Sequence, residues 1–249
     1  MYDIVIPIGP NDIEVFTKQI EYTKRNCIGY RKIYVIAASS VESLVREVPD
    51  TLFIDESTFP FDLHQLHTYS GSDSSKRNGW YFQQLLKLYS GSILPSILDR
   101  WLVIDTDTFF LKPVTFIQED RCLYATGVEH WFPYFRHMDR LIPGLTRVKP
   151  MSGICHHMIF EQKYVKELME RVEHIHQKPF WLAFMSNVSV SDYHLSGASE
   201  YEIYFNYMLT YHPECIQIRP LRWANVSTLD LGSDCDYISY HHYMRNTVA

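Results

Sequence analysis

What this chain does not contain narrows it first. No run of about 18 or more apolar residues occurs in its 249 positions, so no membrane-spanning helix is expected. No Lys/Arg-rich run occurs either, and the formal net charge is −6, which argues against nucleic acid as a partner. Cysteine is scarce: the five (Cys27, Cys122, Cys155, Cys215, Cys235) are scattered, odd in number and never at CxxC spacing. That leaves neither a disulfide framework nor a zinc ribbon, and reduced thiols in a cytoplasm are expected. The first residues lead straight into Tyr2-Asp3-Ile4-Val5-Ile6, with no basic region ahead of an apolar core, so no secretory leader is expected. GxGxxG and GxxxxGK(S/T) are both missing, which disfavours a dinucleotide site and a P-loop. Internal repeats, linkers and low-complexity tails are absent too. Asn187-Val188-Ser189 and Asn225-Val226-Ser227 match the glycosylation acceptor pattern, and without a leader both read as chance.

What is there has the composition of a globular domain. Hydrophobic residues make up 46% and charged residues 21%, enough for one α/β domain with a sizeable core. Aromatics are abundant, at 15% with 18 Tyr and 14 Phe, which suits a site that stacks flat rings as well as it suits a core.

The most informative stretch is Trp101-Leu102-Val103-Ile104-Asp105-Thr106-Asp107-Thr108-Phe109-Phe110. Four apolar residues run into two acids held one residue apart. The run reads as a buried strand whose carboxyl end presents Asp105 and Asp107. In an open α/β sheet ligands bind outside the carboxyl ends of the strands. Two hard oxygen ligands there would hold Mg²⁺ or Mn²⁺, and such an ion usually carries the phosphates of a substrate. The plainer alternative is a strand that ends in a polar turn capped by Asp107 or Thr108.

The pattern before this stretch is β-α-β-α-β. Asp3–Ile8 is a strand ended by Gly9-Pro10, and Asn11 with Glu14 could cap a helix carrying Ile13, Phe16 and Ile20. Ile33–Ala37 and Leu52–Ile54 are further strands, with a short helix over Val41–Val48 between them. Such a start argues for a mainly parallel sheet with helices on both faces. Residues 57–78, with Pro60, His64, His67, Gly71 and a Ser-rich tract from Ser70 to Ser75, read as a long loop. Gly79–Tyr89 returns to helix. Cys122–Ala125 is a strand, followed by an aromatic loop from His130 to Phe135. Glu161–His176 and Glu200–Tyr211 are helices, and Ile216–Ile218 and Tyr237–Tyr240 close the chain as strands.

Five further groups of residues are candidates for chemistry. The turn Pro7-Ile8-Gly9-Pro10 and Asp55 lie on the same carboxyl edge as Asp105 and could meet a nucleoside. Arg77, Gln84 and Lys87 lie on the Gly79–Tyr89 segment or just before it. Arg77 and Lys87 could offset a diphosphate and Gln84 could bond a sugar, or all three could be solvated helix residues. His156 and His157 could reach a phosphate or an acceptor hydroxyl, or could be core histidines. Ser199 and Glu202 form a capping-box pattern, which gives Glu202 a structural task and leaves Glu200 as the better general-base candidate. Tyr240-His241-His242-Tyr243 could supply an imidazole to a metal already held by Asp107, or be surface decoration.

In this order the pieces resemble a GT-A glycosyltransferase, nearest to a family of small nucleotide-diphospho-sugar transferases of bacteria and large DNA viruses. The matching segments are DIVIPIGPND, GWYFQQLLKLY, VIDTDTFFLKP, GICHHMIF, SEYEIYFNY and SYHH, and they span nearly the whole chain. The resemblance implies one GT-A domain over 1–249, a Rossmann-like mixed but mainly parallel sheet flanked by helices. Its nucleotide-binding half would be 1–110 and its acceptor-binding half 111–249. It implies transfer of a sugar from a UDP- or GDP-linked donor to a hydroxyl of a glycan or other acceptor, in a bacterial or host cytoplasm. Asp105 and Asp107 would be the DxD pair around Thr106, with Mn²⁺ or Mg²⁺ held by Asp105, Asp107 and His241 or its neighbour His242. Pro7, Ile8, Gly9 and Asp55 would line the nucleoside pocket, and Glu200 or Glu202 would be the base. Trp131 would offer the acceptor sugar a flat platform. Two rivals remain: a HAD-like phosphatase, whose DxDx(T/V) motif finds Phe109 where Thr or Val is wanted, and a sugar-nucleotide binder without turnover.

Overall fold

The computed structural model describes residues 1–70 and 75–245; residues 71–74 of the Ser-rich tract lie outside the described residues. In chain order the strands are β1 (Tyr2–Pro7), β2 (Cys27–Ile28), β3 (Tyr30–Ala37), β4 (Thr51–Asp55), β5 (Arg100–Ile104), β6 (Thr108–Phe110), β7 (Val114–Thr115), β8 (Ile117–Gln118), β9 (Arg121–Tyr124), β10 (His157–Glu161), β11 (Ile216–Ile218), β12 (Trp223–Asn225) and β13 (Tyr237–Ser239). The α-helices are α1 (Ile13–Asn26), α2 (Glu42–Arg46), α3 (Leu63–Ser70), α4 (Ser75–Ile93), α5 (Phe132–Leu141), α6 (Gln162–His176), α7 (Phe180–Ser186) and α8 (Glu200–Tyr211).

The central sheet has the order β10-β5-β1-β3-β4. β5, β1, β3 and β4 are parallel, and β10 runs antiparallel along β5, pairing Met158 with Val103 and Phe160 with Trp101. The sheet is therefore mixed and mainly parallel. β1 is buried along its whole length, the state that favours a continuous apolar run over alternation. The acid inside it, Asp3, is satisfied: it takes Arg31 Nη2 at 2.6 Å and the Leu98 amide at 2.8 Å. Helices cover the sheet. α4 packs on β1 and β5, and on α6 and α8 behind them. Short accessory sheets (β11-β9-β8, β12-β13-β6 and β2-β7) accompany the central one.

Chain order places the ligand crevice. β1 connects outward to β3 and β4 on one side, while β5 lies on its other side. The gap between the carboxyl ends of β1 and β5 is thus a topological switch point. No helix among the described residues is long and apolar enough to cross a membrane. All five cysteines are free thiols.

Three segments differ from the reading of the sequence. Most of 57–78 is helical rather than a loop, as α3 and the first turn of α4. Polar composition suggested a loop there, but 63–70 contains no Pro or Gly to interrupt a helix. The aromatic segment after His130 enters α5 at Phe132, with Pro133 in the first turn, where its missing N–H costs nothing. His157, left without an element ahead of the Glu161–His176 helix, opens strand β10.

Candidate active site

Asp105 follows the last residue of β5, and the Thr108 amide bonds back to the Asp105 carbonyl at 2.9 Å before β6 begins. This tight turn keeps Asp105, Thr106 and Asp107 together at the switch point. Thr106 closes the gap to β1: its hydroxyl donates to the Pro7 carbonyl at 2.7 Å, and Gln83 Nε2 donates to the same oxygen at 3.2 Å. The Ile8 amide bonds to the Ile36 carbonyl at 2.8 Å, so the end of β1 is fixed on both sides. A Cβ on Gly9 would meet open space, so nothing in the packing requires glycine there.

The first group around the acids is built on Lys87, from α4. Its ammonium lies 2.6 Å from Asp105 Oδ1, 2.7 Å from Glu200 Oε1 and 3.2 Å from the Tyr201 hydroxyl. Tyr201 in turn donates to Asp105 Oδ1 at 2.9 Å. Glu200 and Tyr201 open α8, where the Ser199 hydroxyl caps the helix through the Glu202 amide. Gln84, three residues before Lys87, accepts the Glu200 amide at 2.9 Å, and its Nε2 is a buried donor without a partner. Burial alone would lower the Lys87 pKa, but Asp105 and Glu200 outweigh it and raise it. Burial would raise Asp105, but Lys87 and His156 hold its carboxyl well below the usual carboxylate range. Glu200 is raised, first by burial and then by Asp105, against the pull of Lys87.

The second group is built on Asp107. His241 Nδ1 lies 2.7 Å from Asp107 Oδ2, and its Nε2 faces Asn225 Oδ1 at 3.2 Å. Antiparallel pairing of β13 with β6 delivers it: Ser239 stands opposite Thr108, and the Tyr240 amide bonds to the Asp107 carbonyl at 2.8 Å. Burial would lower the His241 pKa, but its bond to Asp107 outweighs that and raises it. Asp107 Oδ1 is buried without a partner.

His156 joins the two groups. Its carbonyl accepts the Asp105 amide at 3.0 Å, and its Nδ1 lies 3.6 Å from Asp105 Oδ2. It adopts a left-handed backbone (φ 61°), a strained state for a residue with a Cβ. Its Nε2 is buried without a hydrogen-bond partner, 3.9 Å from Glu129 Oε1.

The structure brings Asp105, Thr106, Asp107, Lys87, Gln84, Glu200, His156 and His241 to one place, beside Pro7 and Ile8. Asp55 ends β4 on the same edge, where its carboxylate takes the Ser39 hydroxyl and the Ser57 amide, bonds that lower its pKa. The other expected residues stand elsewhere. His157 is corrected to a core residue: the rings of Phe110, Phe116 and Tyr237 surround it at 4.9 to 5.6 Å. Burial pushes its pKa down to about 3, so it is neutral and unsuited to a phosphate. Arg77 is exposed on α4 and reaches the His194 carbonyl at 3.4 Å. Trp131 precedes α5 and is 43% exposed. His242 is exposed, so of the adjacent pair it is His241 that faces Asp107. Glu202 does not complete the capping box; its carboxylate takes Ser152 Oγ at 2.6 Å and Asn206 Nδ2 at 2.8 Å.

Residue-level reading of the sequence missed Tyr201, Glu129, Trp223 and Asn225. One signal was there: Trp223 and Asn225 alternate along β12 and so share a face.

The donor types suit a hard divalent ion: the partnerless Asp107 Oδ1, the Asp105 carboxylate and the imidazole of His241. As they stand they are engaged with one another and with Lys87, and among the described residues no three acid, His or Cys side chains are grouped around a point where an ion would sit.

Residues 31–219 match a family described as a family of unknown function (DUF6492). No curated protein matches the chain. Among solved structures, the apo form of mouse xyloside xylosyltransferase 1 is similar over 91% of this chain and 88% of that one, at 13% identity and a TM-score of 0.46. The apo structure of the bifunctional glycosyltransferase WbbM is similar over 96% of this chain and 45% of that one, at 12% identity and a TM-score of 0.49. This chain thus spans less than half the length of WbbM.

Proposed function

The chain belongs to that family of unknown function, and from the groups gathered at its switch point we propose that it is a metal-dependent glycosyltransferase. It would move a sugar from a nucleoside-diphosphate donor, UDP-linked first and GDP-linked next, to a hydroxyl of a glycan or other acceptor. One observation carries the reading. At the carboxyl edge between β1 and β5, Asp107 keeps a buried carboxylate oxygen without a partner while His241 is held against its other oxygen. A buried acceptor left unpaired is costly, and a bound cation is the ligand that would satisfy it.

Asp107, Asp105 and His241 would hold Mn²⁺ or Mg²⁺. When bound, the ion would act as a Lewis acid toward the negative charge that grows on the departing diphosphate. The protein's own part is positioning. Thr106 and Gln83 pin the edge of β1, so Pro7, Ile8 and Gly9 offer a fixed backbone rim to a nucleoside, with Asp55 further along the same edge. Lys87 keeps Asp105 ionised and in place. Glu200 is 3% exposed and bound to Lys87, a setting that suits it to orienting Lys87. To take a proton from an acceptor it would first have to leave that pair.

The test is a thermal-shift screen of UDP-, GDP-, CMP- and dTDP-sugars with and without Mn²⁺, on the wild type and on Asp107→Ala. A UDP- or GDP-sugar should stabilise the wild type only when Mn²⁺ is present. The variant should melt cooperatively yet show no such response. Absence of a shift with every donor, or an unchanged response in Asp107→Ala, would overturn the proposal. Slow hydrolysis of the stabilising donor then separates an enzyme from a mere binder.

A further inference from the structure

An open groove of about 690 Å³ lies beside His241, which faces its lining residue Asn225. It is lined by the segment 126–129, Met151, residues 221–225 and Cys235. Its volume is that of a small-ligand site. We propose that it is a saccharide subsite, the place where the acceptor sugar lies, with Trp223 as its platform and Glu129 and Asn225 as its hydroxyl partners. The acceptor role rests on the glycosyl-transfer reading; the binding of a sugar does not.

The lining chemistry leads to this ligand. Trp223 is fixed before any ligand arrives: its indole is stacked on Tyr237 (centroids 5.5 Å apart, planes at 10°) and donates to the Thr126 carbonyl at 3.3 Å. A rigid aromatic ring in a groove offers contact area at little entropic cost, and the C–H face of a pyranose matches it. Beside it Glu129 accepts Asn225 Nδ2 at 2.6 Å, so a carboxylate and an amide stand together with lone pairs and donors left for hydroxyls. Arg222, the one cation among the described lining residues, is engaged by Asp234 Oδ2 at 2.6 Å. With Arg222 paired to Asp234 and a carboxylate in the lining, the groove suits a neutral ligand rich in hydroxyls better than a phosphate.

A second, independent observation points the same way. His156 is 6% exposed and its Nε2 has no hydrogen-bond partner, yet it lies 3.9 Å from the Glu129 carboxylate of the groove lining. A hydroxyl bonded to Nε2 beside the Glu129 carboxylate would satisfy it. The lining is also wired to the aspartates. Glu129 receives Asn225, Asn225 faces His241, and His241 bonds to Asp107, at 2.6, 3.2 and 2.7 Å in turn. A sugar seated here would lie one residue layer from the groups assigned to the donor.

The experiment is saturation-transfer NMR with the methyl glycosides of glucose, galactose, mannose and N-acetylglucosamine, run on the full chain alone and again with UDP and Mn²⁺. At least one glycoside should receive saturation from the wild type. Its affinity should fall about tenfold in Trp223→Leu, by loss of the aromatic contact, and fall again in Glu129→Gln, which keeps the side chain's size. Melting curves of both variants report folding, and Glu129→Gln carries the test alone if Trp223→Leu does not fold. Binding of no glycoside under either condition would overturn the proposal, as would equal binding by wild type and Glu129→Gln. A glycoside that binds while no nucleotide-sugar shifts the melting curve would uphold the subsite and remove the transferase reading.

Discussion

At the scale of single residues, Lys87 governs the site through charge. It is buried with two carboxylates and is the cation bonded to both. Breaking a buried pair by removing one partner costs about 3–5 kcal/mol, because the charge left behind has no compensation. Lys87→Ala should therefore lose roughly that much stability in urea unfolding at pH 7. The sign with pH follows. Without the ammonium, Asp105 and Glu200 in the folded state take up protons more readily than in the unfolded chain, so the deficit should shrink as pH falls. A deficit that stays constant down to pH 4 would show that the pair is not charged as described. His137 also loses its contribution as pH falls, but by a different route. Burial pushes its pKa from 6.5 down to about 4, while its Nε2 bonds to the Phe184 carbonyl. Below 6.5 the unfolded chain binds a proton there that the folded one refuses until about pH 4. Its stabilising contribution is whole above 6.5 and is lost as pH falls through that window, a loss of about 3 kcal/mol. His137→Gln should flatten the wild-type decline between those pH values, measured by denaturant midpoints.

At the scale of elements, α4 brings Lys87 and Gln84 to Asp105 because it lies tight on the sheet. Gly91 is a point of close approach. A Cβ there would run into the buried ring of Trp101 on β5 and the side chain of Gln162. Gly→Ala in an exposed helix gains about 1 kcal/mol, but overpacking a filled core costs about 1–3 kcal/mol. The second effect should win: Gly91→Ala is expected to lower the melting temperature, and an increase would mean that α4 stands off the sheet. The elements also show what was legible. Apolar runs marked β1, β3 and β5, and the helical period marked α1 and α6, because each buries one continuous stripe or strand; α8 is buried on nearly every side. α3 and α5 escaped, since their polar or aromatic composition resembled a loop, although α3 packs on its chain neighbour α4. The acids of the site were legible from their spacing. Asn225, Glu129 and Trp223 were not, because what gives each a role is a neighbour about a hundred residues away or a strand pairing.

At the scale of the molecule, one core runs through both halves of the chain. Residues of β1, β3 and β5 share a hydrophobic cluster with β10, α6 and α8. β10 also covers the edge of β5, and β13 pairs with β6. A fragment ending at 110 would expose a long apolar edge strand and lose the floor of the core. It should be insoluble or lack cooperative unfolding by circular dichroism; a soluble fragment with a sharp transition would show that 1–110 is an autonomous unit.

The return of β13 to β6 has a consequence in time as well as in space. His241 reaches Asp107 only after every other group of the site is in the chain, and Arg245 then fastens the segment back to Asp12 at 2.6 Å on the first turn of the fold. On a ribosome the sheet can assemble strand by strand, but the cluster of donors stays incomplete until these residues emerge. Until then the nascent chain carries the acids of the site without the imidazole that faces Asp107.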